Sequence, residues 1–81
     1  MPQLTLYMMD TCPYCQKVLR FMEQNNIKLS LKNTATDPAN RQELLRIGGK
    51  VQIPCLAIDG RRALYESTDI IEWLRANWKK N

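Results

Sequence analysis

Leu4-Thr5-Leu6-Tyr7-Met8-Met9-Asp10-Thr11-Cys12-Pro13-Tyr14-Cys15 is the stretch that decides the fold. Its apolar first half reads as a strand, and Pro13 then falls where a helix tolerates proline best, in the first turn. Cys15, Val18, Leu19 and Met22 follow at i, i+3, i+4 and i+7, one face of a helix that should end near Asn25-Asn26. The junction is strand, turn, helix. It sets one sulfur at the helix start and a second one turn further in, an arrangement that suits thiol–disulfide redox chemistry.

Working outward, Ile27-Lys28-Leu29-Ser30-Leu31 alternates apolar and polar side chains, which predicts a second strand with one buried face. Asp37-Pro38 is a helix start, Leu44, Leu45 and Ile47 supply its apolar face, and Gly48-Gly49 ends it. After Ile53-Pro54, Cys55-Leu56-Ala57-Ile58 reads as a buried strand. Asp59-Gly60 makes a hairpin turn, and Arg62 to Tyr65 returns as a short edge strand. Ser67 or Thr68 is expected to cap a last helix whose Ile70, Ile71, Trp73, Leu74 and Trp78 share a face. The order β-α-β-α-β-β-α, with a right-handed crossover between the first two strands, predicts a four-stranded mixed sheet flanked by three helices. Residues 1–81 are expected to form one α/β domain of thioredoxin-like architecture.

Composition narrows the chemistry. An apolar content of 44% suits a globular domain, and no apolar run approaches the ~18 residues that span a membrane. Met1-Pro2-Gln3 lacks the layout of a secretory signal, so a cytoplasmic location is expected. Three cysteines fit a reversible pair and one leftover thiol better than a disulfide-stapled secreted fold. The absence of histidine removes the commonest zinc ligand, and no metal site is expected. The net charge of +4 is dispersed, without the basic stripe and interleaved aromatics of a nucleic-acid surface.

Only a thiolate attacks a disulfide, and a helix N-terminus stabilises one through unpaired N–H groups and the positive end of its dipole. Cys12 stands there, within reach of the amides of Tyr14 and Cys15, while Cys15 faces the helix interior. Cys12 is therefore expected to attack and Cys15 to resolve the mixed disulfide. Ile53-Pro54 is a second element: a proline can carry a cis bond, and beside Cys12 the Ile53 backbone can pair with an extended thiol peptide. Ser67-Thr68-Asp69 is a third, a helix start able to hold a carboxylate, with Asp69 placed to receive an ammonium. Plain N-capping explains the same residues equally well.

Three motifs in order and spacing resemble the signatures of a dithiol glutaredoxin: Thr11-Cys12-Pro13-Tyr14-Cys15, Gly49-Lys50-Val51-Gln52-Ile53-Pro54 and Ser67-Thr68-Asp69-Ile70. The resemblance implies reduction of protein disulfides and protein–glutathione mixed disulfides by a monomer. Glutathione would be the co-substrate, no cofactor would be tightly bound, and Pro54 would be cis. It further implies that Tyr14 lines the groove and that Ile53 and Pro54 meet the cysteinyl part of glutathione. Ser67, Thr68 and Asp69 would hold the γ-glutamyl end, and Arg41 would reach the glycine carboxylate. Met9 stands where many glutaredoxins carry a lysine, which leaves Lys50 or Arg41 to compensate. Glu66-Ser67 before an apolar helix is also similar to the N-terminal domain of glutathione transferases, in which a helical second domain would follow Trp78. A dimer holding a [2Fe–2S] cluster through Cys12 and glutathione is a further reading; in the family, Pro13 argues against it. Cys55 reads as a small apolar residue entering its strand.

Overall fold

The structure is a computed structural model and describes residues 3–78. Its elements are β1 (Leu4–Met8), α1 (Pro13–Gln24), β2 (Ser30–Asn33), α2 (Pro38–Gly48), β3 (Cys55–Ile58), β4 (Arg62–Leu64) and α3 (Ser67–Asn77). The four strands form one sheet in the order β2-β1-β3-β4. β1 and β2 are parallel, and β3 runs antiparallel to both β1 and β4. The crossover through α1 and the final hairpin are those expected of a thioredoxin-like fold.

Alternation along the strands divides the core into two layers. Leu4, Leu6 and Met8 of β1, with Leu56 and Ile58 of β3, meet Val18, Met22, Ile70, Ile71 and Leu74 from α1 and α3. The opposite faces present Tyr7, Cys55 and Ala57 to Leu44 of α2. β3 is therefore buried on both sides, which accounts for its unbroken run of apolar side chains. β3 and β4 are joined by a three-residue loop, Asp59 to Arg61, in which Asp59 (φ 56°) and Gly60 (φ 69°) both take left-handed backbone and the Arg61 N–H bonds to the Ile58 carbonyl at 3.2 Å, a turn of the type I′ kind.

Three local expectations shift. The second strand begins at Ser30 rather than Ile27. Asn26 turns left-handed (φ 55°), and the Ile27 N–H bonds back to the Met22 carbonyl at 2.8 Å. Parallel pairing of Thr5 with Ser30 also sets Ile27 and Lys28 before the start of β1, where no ladder exists. Ile27 still buries its side chain in the layer of α1 and α3. Leu45 stays 50% exposed, because α2 meets the sheet along a narrow stripe through Leu44 and Ile47. Finally, α3 is capped one residue earlier than expected, by Glu66, whose side chain makes no capping bond.

The boundaries of α2 follow their local chemistry. Asp37 accepts the Ala39 N–H at 3.0 Å, and Gly49 closes the helix in left-handed conformation (φ 83°) with its N–H on the Leu45 carbonyl at 2.8 Å. No described helix is long and apolar enough to cross a membrane.

Candidate active site

Cys12 is the N-cap of α1. Its backbone is extended (φ −81°, ψ 119°), while its carbonyl accepts the Gln16 N–H at 2.9 Å. Where a capping residue ordinarily offers oxygen, Cys12 offers Sγ, which accepts the Cys15 N–H at 3.3 Å. Of the two amides expected at this sulfur, that of Cys15 makes the contact. Cys12 is half-buried, whereas Cys15 and Cys55 are buried. Burial, and then the hydrogen bond and charge of Cys12, push the Cys15 thiol up to about 12. Burial pushes Cys55 up to about 11. The three thiols are thus sorted by access to water.

The segment leading into Cys12 is fixed from two sides. Gln16 Nε2 donates to the Asp10 carbonyl at 2.5 Å, and Asn33 Nδ2 donates to the Asp10 carboxylate at 3.3 Å. Asn33 Oδ1 also accepts the N–H groups of Ala35 and Thr36 at 2.8 and 3.1 Å, an Asx turn at the end of β2. The Asn33 carbonyl accepts from Asn40 Nδ2 at 3.0 Å. One asparagine therefore joins the approach to the dithiol, the β2–α2 turn and α2 itself. Sequence reading passed over Asn33; its place between a strand and the Asp37-Pro38 helix start was the available signal.

Beside this segment lies a groove of ≈ 500 Å³ lined by Met9, Thr34, Pro38, Arg41, Val51 and Ile53. Ile53 is half-buried and packs against both apolar layers, while Cys12 packs against the layer of α1 and α3. The Ile53–Pro54 bond is cis, and Pro54 is buried. A second groove, ≈ 650 Å³, runs between α1 and α3, with Pro13, Gln16 and Lys17 on one wall and Thr68 and Ile71 on the other.

Ser67, Thr68 and Asp69 occupy the first three positions of α3. The Ile70 N–H already bonds to the Glu66 carbonyl at 2.9 Å, so the three amides before it have no partner within the helix ladder. Ser67 is buried, leaving Thr68 and Asp69 as the exposed pair. Asp69 in the first turn is favourably placed on the helix dipole. Tyr14 is 66% exposed. The fold thus brings Met9, Arg41 and Ile53 into one groove and Pro13 and Thr68 into the other, with Tyr14 out in solvent.

A contact between the 49–53 loop and the start of α3 was also missed in the sequence. Tyr65 donates its hydroxyl to the Lys50 carbonyl at 3.0 Å, and the Lys50 ammonium lies 4.6 Å from the Tyr65 ring centroid. Gly48 makes room for that ring: a Cβ there would lie 1.7 Å from the hydroxyl oxygen.

A helix-capping cysteine with a buried partner one turn on, set on this sheet, defines a thioredoxin-fold protein of glutaredoxin type. Residues 6–81 match the family model described as "Glutathione S-transferase, N-terminal domain", and the chain belongs to that family. Glutaredoxin 2 of Escherichia coli (strain K12) is 34% identical over 71 residues, covering 88% of this chain and 32% of that protein. The chain thus spans about a third of the length of that relative. A glutaredoxin-like 8.6 kDa protein of the rubredoxin operon of Clostridium pasteurianum is 30% identical over 57 residues, 70% of this chain and 76% of that one. Among solved structures, glutathione transferase Omega 3C from Trametes versicolor superposes with a TM-score of 0.77 at 29% identity, covering 91% of this chain and 33% of that one. Relatives of both kinds, thiol oxidoreductases and glutathione transferases, mark a redox or transferase enzyme family.

Proposed function

We propose that the chain is a glutathione-dependent thiol–disulfide oxidoreductase acting on protein disulfides and on protein–glutathione mixed disulfides. The observation that carries this reading is the inequality of the two thiols. Cys12 caps a helix with its sulfur at an amide, and Cys15 is buried with its thiol pushed up to about 12. A transferase needs no second thiol, so the Cys12-Pro13-Tyr14-Cys15 pair favours the redox activity.

In the proposed reaction the Cys12 thiolate attacks the glutathionyl sulfur of a protein mixed disulfide. The protein–sulfur bond breaks, the protein thiolate takes up a proton, and Cys12 becomes glutathionylated. A second glutathione thiolate attacks that glutathionyl sulfur, releasing glutathione disulfide and restoring the Cys12 thiolate. With a protein disulfide, Cys12 instead forms a mixed disulfide with the target, and Cys15, once deprotonated, attacks the Cys12 sulfur. The target leaves as a dithiol, and two glutathiones reduce the resulting Cys12–Cys15 disulfide. Loss of the Cys12 charge on forming the mixed disulfide removes one of the causes that hold Cys15 protonated. Burial, the larger cause, persists, so Cys15 becomes a resolving thiol without becoming a competing nucleophile.

The groove beside Met9 suits the cysteinyl-glycine half of glutathione, with Arg41 toward its carboxylate and Ile53 and Pro54 toward its backbone. The open amides of Ser67, Thr68 and Asp69, with the Asp69 carboxylate, suit the γ-glutamyl end. Cys15→Ser tests the division of labour. The variant should keep deglutathionylation of a glutathionylated peptide, with glutathione and its reductase as electron source, and lose most reduction of a protein disulfide. Loss of both activities overturns the assignment.

A further inference from the structure

The two halves of the proposed glutathione path lie on separate segments: the loop from Gly49 to Ile53 and the start of α3. One side chain joins them. Tyr65 follows β4 and immediately precedes Glu66, the N-cap of α3. Its hydroxyl donates across to the Lys50 carbonyl at 3.0 Å, and its ring lies under the Lys50 ammonium, 4.6 Å from centroid to nitrogen. The ring is half-buried and packs, as Ile53 and Ala63 do, against the layer that holds Leu44 and Cys55.

The place of that ring is built in rather than incidental. Gly48, the last residue of α2, stands where a Cβ would lie 1.7 Å from the Tyr65 hydroxyl oxygen, 2.6 Å from its ring carbon and 3.1 Å from Ala63 Cβ. A side chain at 48 and this position of Tyr65 exclude one another. Gly49 then turns the chain in left-handed conformation (φ 83°), so the tethered carbonyl follows directly on the helix end. Beyond it, Val51 and Ile53 line the groove shared with Met9 and Arg41.

We propose that Tyr65 is a positioning residue: by holding the Lys50 carbonyl, it sets the spacing between the 49–53 loop and the start of α3, and with it the fit of a γ-glutamyl peptide across the two. The role rests on the glutathione reading above. The hydroxyl touches no reacting atom, so its effect falls on substrate binding rather than on sulfur exchange.

Tyr65→Phe tests this, since it removes the hydroxyl and keeps the ring beside Gly48. KM for a glutathionylated peptide should rise about fivefold, the worth of one neutral hydrogen bond, with kcat within about twofold of the parent. Hydrogen exchange at the amides of Val51, Gln52 and Ile53 should quicken by a similar factor, while Val18 and Met22 in α1 stay unchanged. A purely structural role would instead quicken exchange throughout and leave KM alone. Unchanged loop exchange overturns the tether, and quicker loop exchange with an unchanged KM overturns its role in binding. A parent chain without glutathione turnover removes the glutathione reading and the binding role with it, while loop exchange still decides whether the tether exists.

Discussion

Alkylation of the reduced, folded protein should stop at one adduct, on Cys12. At pH 8 a thiol with a pKa near 12 is about 0.01% thiolate, one near 11 is about 0.1%, and an ordinary cysteine near 8.5 is about a quarter. A more basic thiolate is intrinsically more nucleophilic, which restores part of the loss. With a Brønsted slope of about 0.45, Cys15 regains roughly 40-fold and Cys55 roughly 13-fold. The net handicap against an ordinary exposed cysteine is then about 60-fold for Cys15 and about 20-fold for Cys55. Both side chains are fully buried, which slows them further, whereas Cys12 is half-buried at a helix end. Iodoacetamide at pH 8, followed by intact mass and peptide mapping over time, measures all three rates. In Cys12→Ser the contribution of Cys12 to the Cys15 shift disappears but burial remains its largest cause, so Cys15 should stay slow. Alkylation of Cys15 or Cys55 within about fivefold of Cys12 would refute the sorting of the thiols by burial.

Two further outcomes follow from the α2 side of the sheet. Lys32 donates to Glu43 Oε1 at 2.6 Å and the Tyr7 hydroxyl donates to the same oxygen, which together hold the Glu43 carboxyl below its ordinary 4.5. A carboxylate lowered by folding stabilises above its unfolded value and loses that contribution as pH falls through the folded one. Glu43→Gln should therefore cost about 1–2 kcal/mol at pH 7, read from denaturant curves, and the difference from the parent should shrink as the pH falls below the ordinary carboxyl range. Asp37→Ala removes the cap of α2 and should cost about 1 kcal/mol, a fall of roughly 4–8 °C in the melting temperature followed by circular dichroism.

Elements governed by local chemistry were legible in the sequence. The bounds of β1 and β3 follow apolar runs closed by turn residues, and those of α2 follow Asp37-Pro38 and Gly48-Gly49. Misplacements arose where a tertiary partner decides. Ile27 carries a strand pattern but stands before the first residue of β1 to which its strand can pair. Leu45 belongs to the apolar run of α2 but lies off the stripe that meets the sheet. The dithiol was readable because its chemistry depends on neighbours three residues apart in one helix. The grooves were not, since each needs segments brought together by the sheet; the Tyr65 contact has no pattern in the primary structure, and for Asn33 only the local turn has one, its reach to Asp10 being set by the fold.

The two layers also explain where a polar tether has most effect. Among the described residues, the layer of α1 and α3 is the larger, and it anchors Cys12 through the helix that Cys12 caps. The layer under α2 is thin, with Tyr7, Leu44, Cys55 and Ala57 as its buried members. Ile53 touches both, so its position relative to Cys12 depends on the weaker layer as much as on the stronger one. Apolar packing is non-directional and cannot by itself fix the loop from Gly49 to Ile53 in one register. Hydrogen bonds can, and they stand at the two borders of this layer: Tyr7 and Lys32 on Glu43 at one side, Tyr65 on Lys50 at the other. Cys12 stands at a helix end, while in the loop from Gly49 to Ile53 the Lys50 carbonyl is held by the Tyr65 hydroxyl, for which Gly48 leaves room.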